Sequence, residues 1–382
     1  MLGAGALSGV KVLDLSRLLP GPYCSMILAD HGAEVIAIED RRFLGDGLFF
    51  DEINRNKRHM SLNLKSDEGK RIFFKLAERA DVVLEGFRPG VVKRLGVDYD
   101  SLREINPGLI YCSISGYGQT GEKRDDPGHD VNYLSTAGLL HLIGEKDNAP
   151  VIPGIQIADI AGGSMQAAIG ILLALYQREK SGRGQYIDIS MTDGVLGLLT
   201  LPRFLEKAYG ETPVRSDTTL SHRYGCYNTY VTKDSRYIAL GAVENRFWKK
   251  LCERLGKPEY AQLQYDNEHR LEIISWLRHT FNSENRDYWD NELTGLGACY
   301  SAIRSIDEIL DDALFKEREM VCEYLGKDGK THKTFGIPVK LSETPGALRS
   351  APAEFGEHTR EVLLELGYSE TVIKEFSEEG IV

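Results

Sequence analysis

Strand-like and helix-like segments alternate along the first half of this chain, and that alternation restricts the fold more than any other feature. VKVLDLS is a short apolar strand, and PGPYCSMILADHG after it is helical, with Pro22 near its start and Gly32 just past its end. This is ordinary helix punctuation: proline lacks the N–H that a first turn leaves unpaired, and glycine accepts the left-handed conformation beyond a last turn. AEVIAIED is the next strand, followed after a polar loop by MSLNLK, the helix DEGKRIFFKLAERA, the strand DVVLEGF, the helix-like PGVVKRLG and the strand GLIYCSISGYG. Such a rhythm predicts an α/β fold with a parallel sheet of Rossmann type and ligands at the carboxyl ends of its strands. The glycine-rich phosphate fingerprint of dinucleotide binders is missing after the first strand, where SRLLPGP stands, which disfavours nicotinamide or flavin chemistry.

Further along, IAGGSMQAAIGILLALYQR (160–178) is apolar around most of a helix and is expected to be buried. SGRGQ stops it, and YIDISMTDGVLGLL begins as another strand. From about residue 200 the character changes. YGCYNTYVTKDSRYIALGAVE reads as an antiparallel hairpin turning at Lys233–Ser235, amphipathic helices follow through residue 320, and a second domain is expected here. The final GEHTREVLLELGYSETVIKEFSEEGIV holds two short amphipathic helices separated at Gly367.

A net charge of −11 with no dense Lys/Arg run argues against nucleic-acid binding. The N-terminal segment has no basic start leading into an apolar run, and no apolar stretch approaches membrane-spanning length, so a cytoplasmic protein with no membrane partner is expected. Cys24, Cys112, Cys226, Cys252, Cys299 and Cys322 are scattered without C-x-x-C spacing and read as reduced, mostly buried thiols, with no metal site.

Three residues stand out for chemistry. His129, in GHDVNYL, is either a hydrogen-bonding loop histidine or a proton-transfer group, its ordinary pKa suiting either direction near neutrality. Asp159, before IAGGSM, is either an N-cap accepting backbone N–H bonds or a base beside free amide donors. Under the second reading, Gly162 and Gly163 would let a ligand approach the helix N-terminus, where negative charge on a bound oxygen is favoured. Glu244, in LGAVENRF, is either a first-turn carboxylate complementing the helix dipole or a second functional carboxylate. Ser164 reads as a helix-start hydroxyl, since no G-x-S-x-G turn surrounds it. Arg41, Arg42, Lys57, Arg58, Arg88 and Arg94 recur around the strand ends, either as solvated surface or as a set binding a phosphorylated ligand.

The segments VKVLDLSRLLPGPYCSMILADHGAEVIAIED, LEGFRPGVVKRLG, GLIYCSISGYGQTG, IADIAGGSM, EKSGRGQYIDISMTD and APAEFGEHTREVLLELGYS strongly resemble the class III CoA-transferase (CaiB/BaiF) superfamily, which includes the α-methylacyl-CoA racemases. The resemblance runs over nearly the whole chain. It implies an interlocked homodimer whose large Rossmann-like domain, here 1–199 plus 330–382, carries an inserted smaller α+β domain, here 200–329. It implies acyl-CoA as substrate, coenzyme A being part of that substrate, with no permanently bound cofactor. Arg42 and Arg94, with Arg88, match the segments that contact CoA, and the acyl pocket is expected to draw on the loop 40–56 and on the second domain. Asp159 stands at the key position of both chemistries of the superfamily. In transferases the matching aspartate attacks the thioester to form a mixed anhydride and then an enzyme thioester; in racemases it exchanges the α-proton on one face while a histidine serves the other. GHDVNYL and LGAVENRFW match the racemase segments, which casts His129 as the second base and Glu244 as its partner, and makes epimerisation of a 2-methylacyl-CoA the expected reaction, with CoA transfer through Asp159 as the alternative. Leu19 stands where formyl-CoA-type transferases carry a glutamine, and Ile155, with Gln156 beside it, where racemases carry an asparagine.

Overall fold

A computed structural model describes residues 5–45, 50–210 and 212–382. The chain divides into two compact units, one formed by Met1–Gly138, Pro153–Leu199 and Ala313–Val382, the other by Leu139–Ile152 and Thr200–Asp312.

The first unit is built on six parallel strands: β1 (Lys11–Asp14), β2 (Glu34–Glu39), β3 (Lys57–Ser61), β4 (Val82–Glu85), β5 (Ile110–Ser115) and β6 (Tyr186–Ser190). Their spatial order is β3-β2-β1-β4-β5-β6, with Leu13 of β1 set between Ile36 of β2 and Val83 of β4. The direction of winding reverses between β1 and β4, and such a switch point leaves a crevice at the carboxyl ends of the strands. Every residue of β4 and β5 is buried, as expected of inner strands covered on both faces. The third strand begins three residues before the expected MSLNLK segment, because Lys57 is itself buried and paired with Val35 of β2.

Helix α1 (Pro20–Asp30) follows β1 with proline in its first turn, and α2 (Asp67–Ala77) is capped by Ser66, whose hydroxyl accepts the Gly69 N–H at 2.9 Å. Short helices α3 (Val91–Leu95) and α4 (Tyr99–Arg103) lead to β5, and α5 (Asp130–Thr136) follows it. A π-helical turn, Ala158–Ser164, then runs into α6 (Met165–Ser181), and α7 (Met191–Leu198) follows β6. The C-terminal helices Thr359–Glu365 and Glu370–Glu378 return to this unit and complete its core, Val362, Leu363 and Phe376 joining Phe73, Met60 and Val83.

Two sequence expectations change here. Residues 158–181 form one apolar helical stretch of 24 residues, long enough to cross a membrane, contrary to the reading that no run approaches that length. Ala167, Ala168, Ile171 and Ala174 bury one face of it, and Met165, Ile169, Leu173 and Tyr176 remain exposed on the other. The domain boundaries also shift. The chain rejoins the first unit at Ala313 instead of 330, because the antiparallel hairpin of β-strands Val321–Leu325 and Thr331–Phe335 is tied to it by Thr334 Oγ1 donating to Glu52 Oε2 (2.8 Å). Residues 139–152 leave it for the second unit, where the Arg215 guanidinium donates to the carbonyls of His141 and Asn148, both at 2.8 Å, and Ser216 Oγ to that of Gly144 at 2.7 Å.

The second unit has the expected hairpin, Tyr227–Val231 paired antiparallel with Tyr237–Gly241, and Tyr300–Ala302 adds a third strand. Helices Asn245–Arg254, Arg270–Phe281 and Arg286–Leu293 enclose a core around Trp248, Phe281 and Trp289.

Candidate active site

A cavity of about 510 Å³ opens in the first unit at the carboxyl ends of the strands, where the sheet topology predicts a ligand. The turns after β1, β4 and β5 form one side, and residues 124–133, Asp159 and Met191 close the other. His129 and Asp159 both line it.

Each has a local scaffold. His129 is the extended residue preceding α5, and its N–H donates to Asn132 Oδ1 at 3.0 Å. The Tyr133 hydroxyl donates to the Gly128 carbonyl at 2.6 Å, and its ring fills space that side chains at Gly116 or Gly128 would occupy: a Cβ there would stand 2.4 or 2.6 Å from it. Asp159 sits in the π-helical turn, a helical irregularity often found at functional sites. The amides that open this turn are capped, but not by Asp159. Asp130 Oδ1 accepts the N–H of Ala158 at 2.6 Å and that of Asp159 at 3.1 Å. The capping reading of Asp159 is thereby corrected, and its carboxyl accepts no hydrogen bond among the described residues. Ile155 and Gln156 are both exposed, and neither supplies one.

Burial, followed by the adjacent Asp130 charge, pushes the Asp159 carboxyl up to about 6, with His129 opposing. A carboxyl so poised can take or give a proton near neutrality. Burial, then the nearby Asp159 charge, pushes Tyr133 up to about 12, so it stays a neutral donor. Ser164 is buried, donating to the carbonyls of Pro20 (2.6 Å) and Asp159 (3.0 Å), a structural hydroxyl as read from the sequence.

Gly162 and Gly163 have a packing role that the sequence did not show. Both are buried, and a Cβ would lie 2.5 Å from the Met191 carbonyl oxygen at Gly162 and 3.0 Å from the Met191 side chain at Gly163. They are small so that α7 can pack against the π-helical turn.

The basic residues divide by what they touch. Arg88 lines the cavity beside Arg17 and Arg124. Its loop is fastened where Glu85 Oε2 accepts the Phe87 N–H at 2.7 Å. Arg42 lines a neighbouring, mostly apolar cavity of about 220 Å³ with Phe43, Phe87 and Val91, and its Nε donates to Asp40 Oδ2 at 2.8 Å. Arg94 is exposed on α3 and lines neither cavity. Three others hold the fold: Arg41 donates to the Val382 carbonyl (3.0 Å), buried Lys57 to that of Pro22 (2.7 Å), and Arg58 pairs with Glu361 and Glu365. Arg17, which sequence reading passed over, lines both cavities and stacks on Phe43 with 3.4 Å to the ring centroid. Its position directly after the first strand was the available signal. Of the loop 40–56, residues 46–49 lie outside the described residues.

Glu244 belongs to the second unit, where it precedes helix Asn245–Arg254 and lies 4.0 Å from Arg246. His129, Asp159 and Arg88 are thus brought together within one unit, and Glu244 is carried by the other.

The chain matches the model of CoA-transferase family III over residues 7–359. It is 35% identical to the alpha-methylacyl-CoA racemase of Mus musculus, across 98% of this chain and 97% of that protein. It is also 34% identical to an acyl-CoA transferase of Fusarium pseudograminearum, covering 99% and 88%, and 31% identical to the succinyl-CoA:mesaconate CoA-transferase of Haloarcula marismortui, covering 95% and 97%. Among solved structures, a CaiB/BaiF family protein from Brucella suis is similar with a TM-score of 0.84 and 28% identity, over 95% of this chain and all of that one.

Proposed function

This chain belongs to CoA-transferase family III, and on that premise we propose that it epimerises a 2-methylacyl-CoA by two-base 1,1-proton transfer, with His129 and Asp159 as the bases. The observation that carries the reading is that these two side chains line one cavity, with the Asp159 carboxyl pushed up to about 6. The thioester acidifies the α-carbon. One base removes its proton, the enolate forms, and the conjugate acid of the other delivers a proton to the opposite face. A base whose proton affinity approaches the working pH serves both directions, each base contributing roughly 10²–10⁴-fold.

Coenzyme A arrives as part of the substrate. Its anionic portion would meet Arg42 and Arg88, with Arg94 at the rim of α3, and the apolar cavity beside Phe43 and Phe87 suits a planar base. Glu244, carried by the second unit, is the third residue of the proposed catalytic set. The exposed apolar face of α6, including Ile169, Leu173 and Tyr176, fits burial in an interlocked homodimer. Six unpaired cysteines fit a reducing, cytoplasmic setting.

A second reading, CoA transfer between carboxylic acids, is favoured by one observation: the Asp159 carboxyl accepts no hydrogen bond among the described residues and is free to attack a thioester. Chiral analysis separates the two. Each single enantiomer of a 2-methylacyl-CoA should converge on the same mixture. A fixed configuration across several acyl chains, with CoA passing to an added acid, would replace epimerisation by transfer.

A further inference from the structure

The two proposed bases, His129 and Asp159, are carried by separate segments, and their separation must be held for both to face one α-carbon. Only one side chain among the described residues is hydrogen-bonded across that gap. Asp130 follows His129 directly in the chain and opens α5, while its Oδ1 accepts both amides at the start of the turn that carries Asp159. First-turn amides of a helix have no partner of their own, so these bonds fix where that turn begins. Charge-assisted bonds of this kind are roughly twice as strong as neutral ones.

We propose that Asp130 is the positioning residue of this site: it locks the main chain of Asp159 to the helix that begins beside His129 and places a second negative charge next to the Asp159 carboxyl. This rests on the reading of Asp159 as a proton-transfer group. The charge has a direction. A neighbouring carboxylate disfavours ionisation of Asp159, so Asp130 adds to the effect of burial, and His129 opposes both. His129, just before α5, and Tyr133 on it line the cavity with Asp159, and Arg17, Arg88, Arg124 and Asp126 share that cavity. Of α7, only Asp193 carries a charge.

Geometry and charge can be separated. Asp130→Asn keeps an oxygen that accepts both amides and removes the charge; Asp130→Ala removes both. With carbon-13 in the aspartate carboxyls and Asp159→Asn identifying the resonance, the Asp159 signal should titrate near 6 in the unsubstituted protein. It should move down toward the usual carboxylate range in Asp130→Asn. In parallel, deuterium wash-in at C2 of a 2-methylacyl-CoA, followed against pH, should keep within about tenfold of its maximum in Asp130→Asn with the acid limb displaced to lower pH. Asp130→Ala should lose about 10²-fold or more, as mispositioning by an ångström does. A titration midpoint and acid limb unmoved by Asp130→Asn, or an unimpaired Asp130→Ala, would overturn the proposal. If the unsubstituted protein gives no wash-in, the epimerase reading fails, and the carboxyl titration alone still decides for or against Asp130.

Discussion

Replacing Asp159 by asparagine should abolish turnover and make the protein more stable, increasingly so as pH rises. Folding holds the Asp159 carboxyl at about 6 against its ordinary 3.8, chiefly through burial and then through the Asp130 charge. That difference corresponds to about 3 kcal/mol against the ionised form, at about 1.4 kcal/mol per tenfold. Solvent reaches part of the group, so roughly 1–2 kcal/mol survives screening. The sign follows from which state keeps the proton. Below 3.8 the carboxyl is neutral in both states and costs nothing. Between 3.8 and about 6 the unfolded chain gives up the proton first, so stability falls as pH rises, and above about 6 the full penalty is present. Asp159→Asn has no such titration. At pH 7.5 it should melt higher by roughly 2–8 °C, at about 2–4 °C per kcal/mol for a unit of this size, and the gap should shrink toward pH 4.5. Calorimetry of both proteins at those two pH values is the assay. A gap that is absent or constant with pH would refute the origin assigned to the raised pKa.

Three further outcomes are expected. His129→Gln should slow epimerisation by roughly 10²–10⁴-fold yet leave C2 exchange in the enantiomer whose proton faces Asp159; equal loss in both enantiomers would argue against independent bases. Asp30→Ala strips the buried Arg55 guanidinium of its carboxylate partner, the two side chains being 3% and 5% exposed, and should cost about 3–5 kcal/mol in urea unfolding, a loss under about 1 kcal/mol contradicting it. Phe43→Ala should raise KM for the acyl-CoA with kcat nearly unchanged, because the cavity it lines is remote from the reacting carbon in the proposed binding mode; a fall in kcat with KM unchanged would place Phe43 at the chemistry instead.

The parallel sheet was legible because its signals are local: apolar runs broken by Pro22, Gly32 and capping residues specify strands and helices almost independently of what they pack against. The boundary at Ala313 was not, since it depends on a contact between Thr334 and Glu52, 282 residues apart. Polar roles were harder still. Asp130 and Asp159 are both acidic residues next to helix starts, and sequence offers no way to tell which one caps; the structure assigns the cap to Asp130 and leaves Asp159 free of it. Gly162 and Gly163 have the composition of a ligand-approach turn, and only the proximity of Met191 reveals close packing. Arg41, Lys57 and Arg58 look like Arg88 in sequence, and they separate once Val382, Pro22 and Glu361 are seen as their partners.

The most direct test of two-base epimerisation is deuterium wash-in at C2, followed by proton NMR, with each enantiomer of a 2-methylacyl-CoA incubated separately in D₂O. The account predicts loss of the C2 proton signal from both enantiomers, with inversion, and no covalent adduct at Asp159 when the mixture is quenched with hydroxylamine. Retention of the C2 proton together with a hydroxamate at Asp159 would contradict it and establish the carboxyl as a nucleophile.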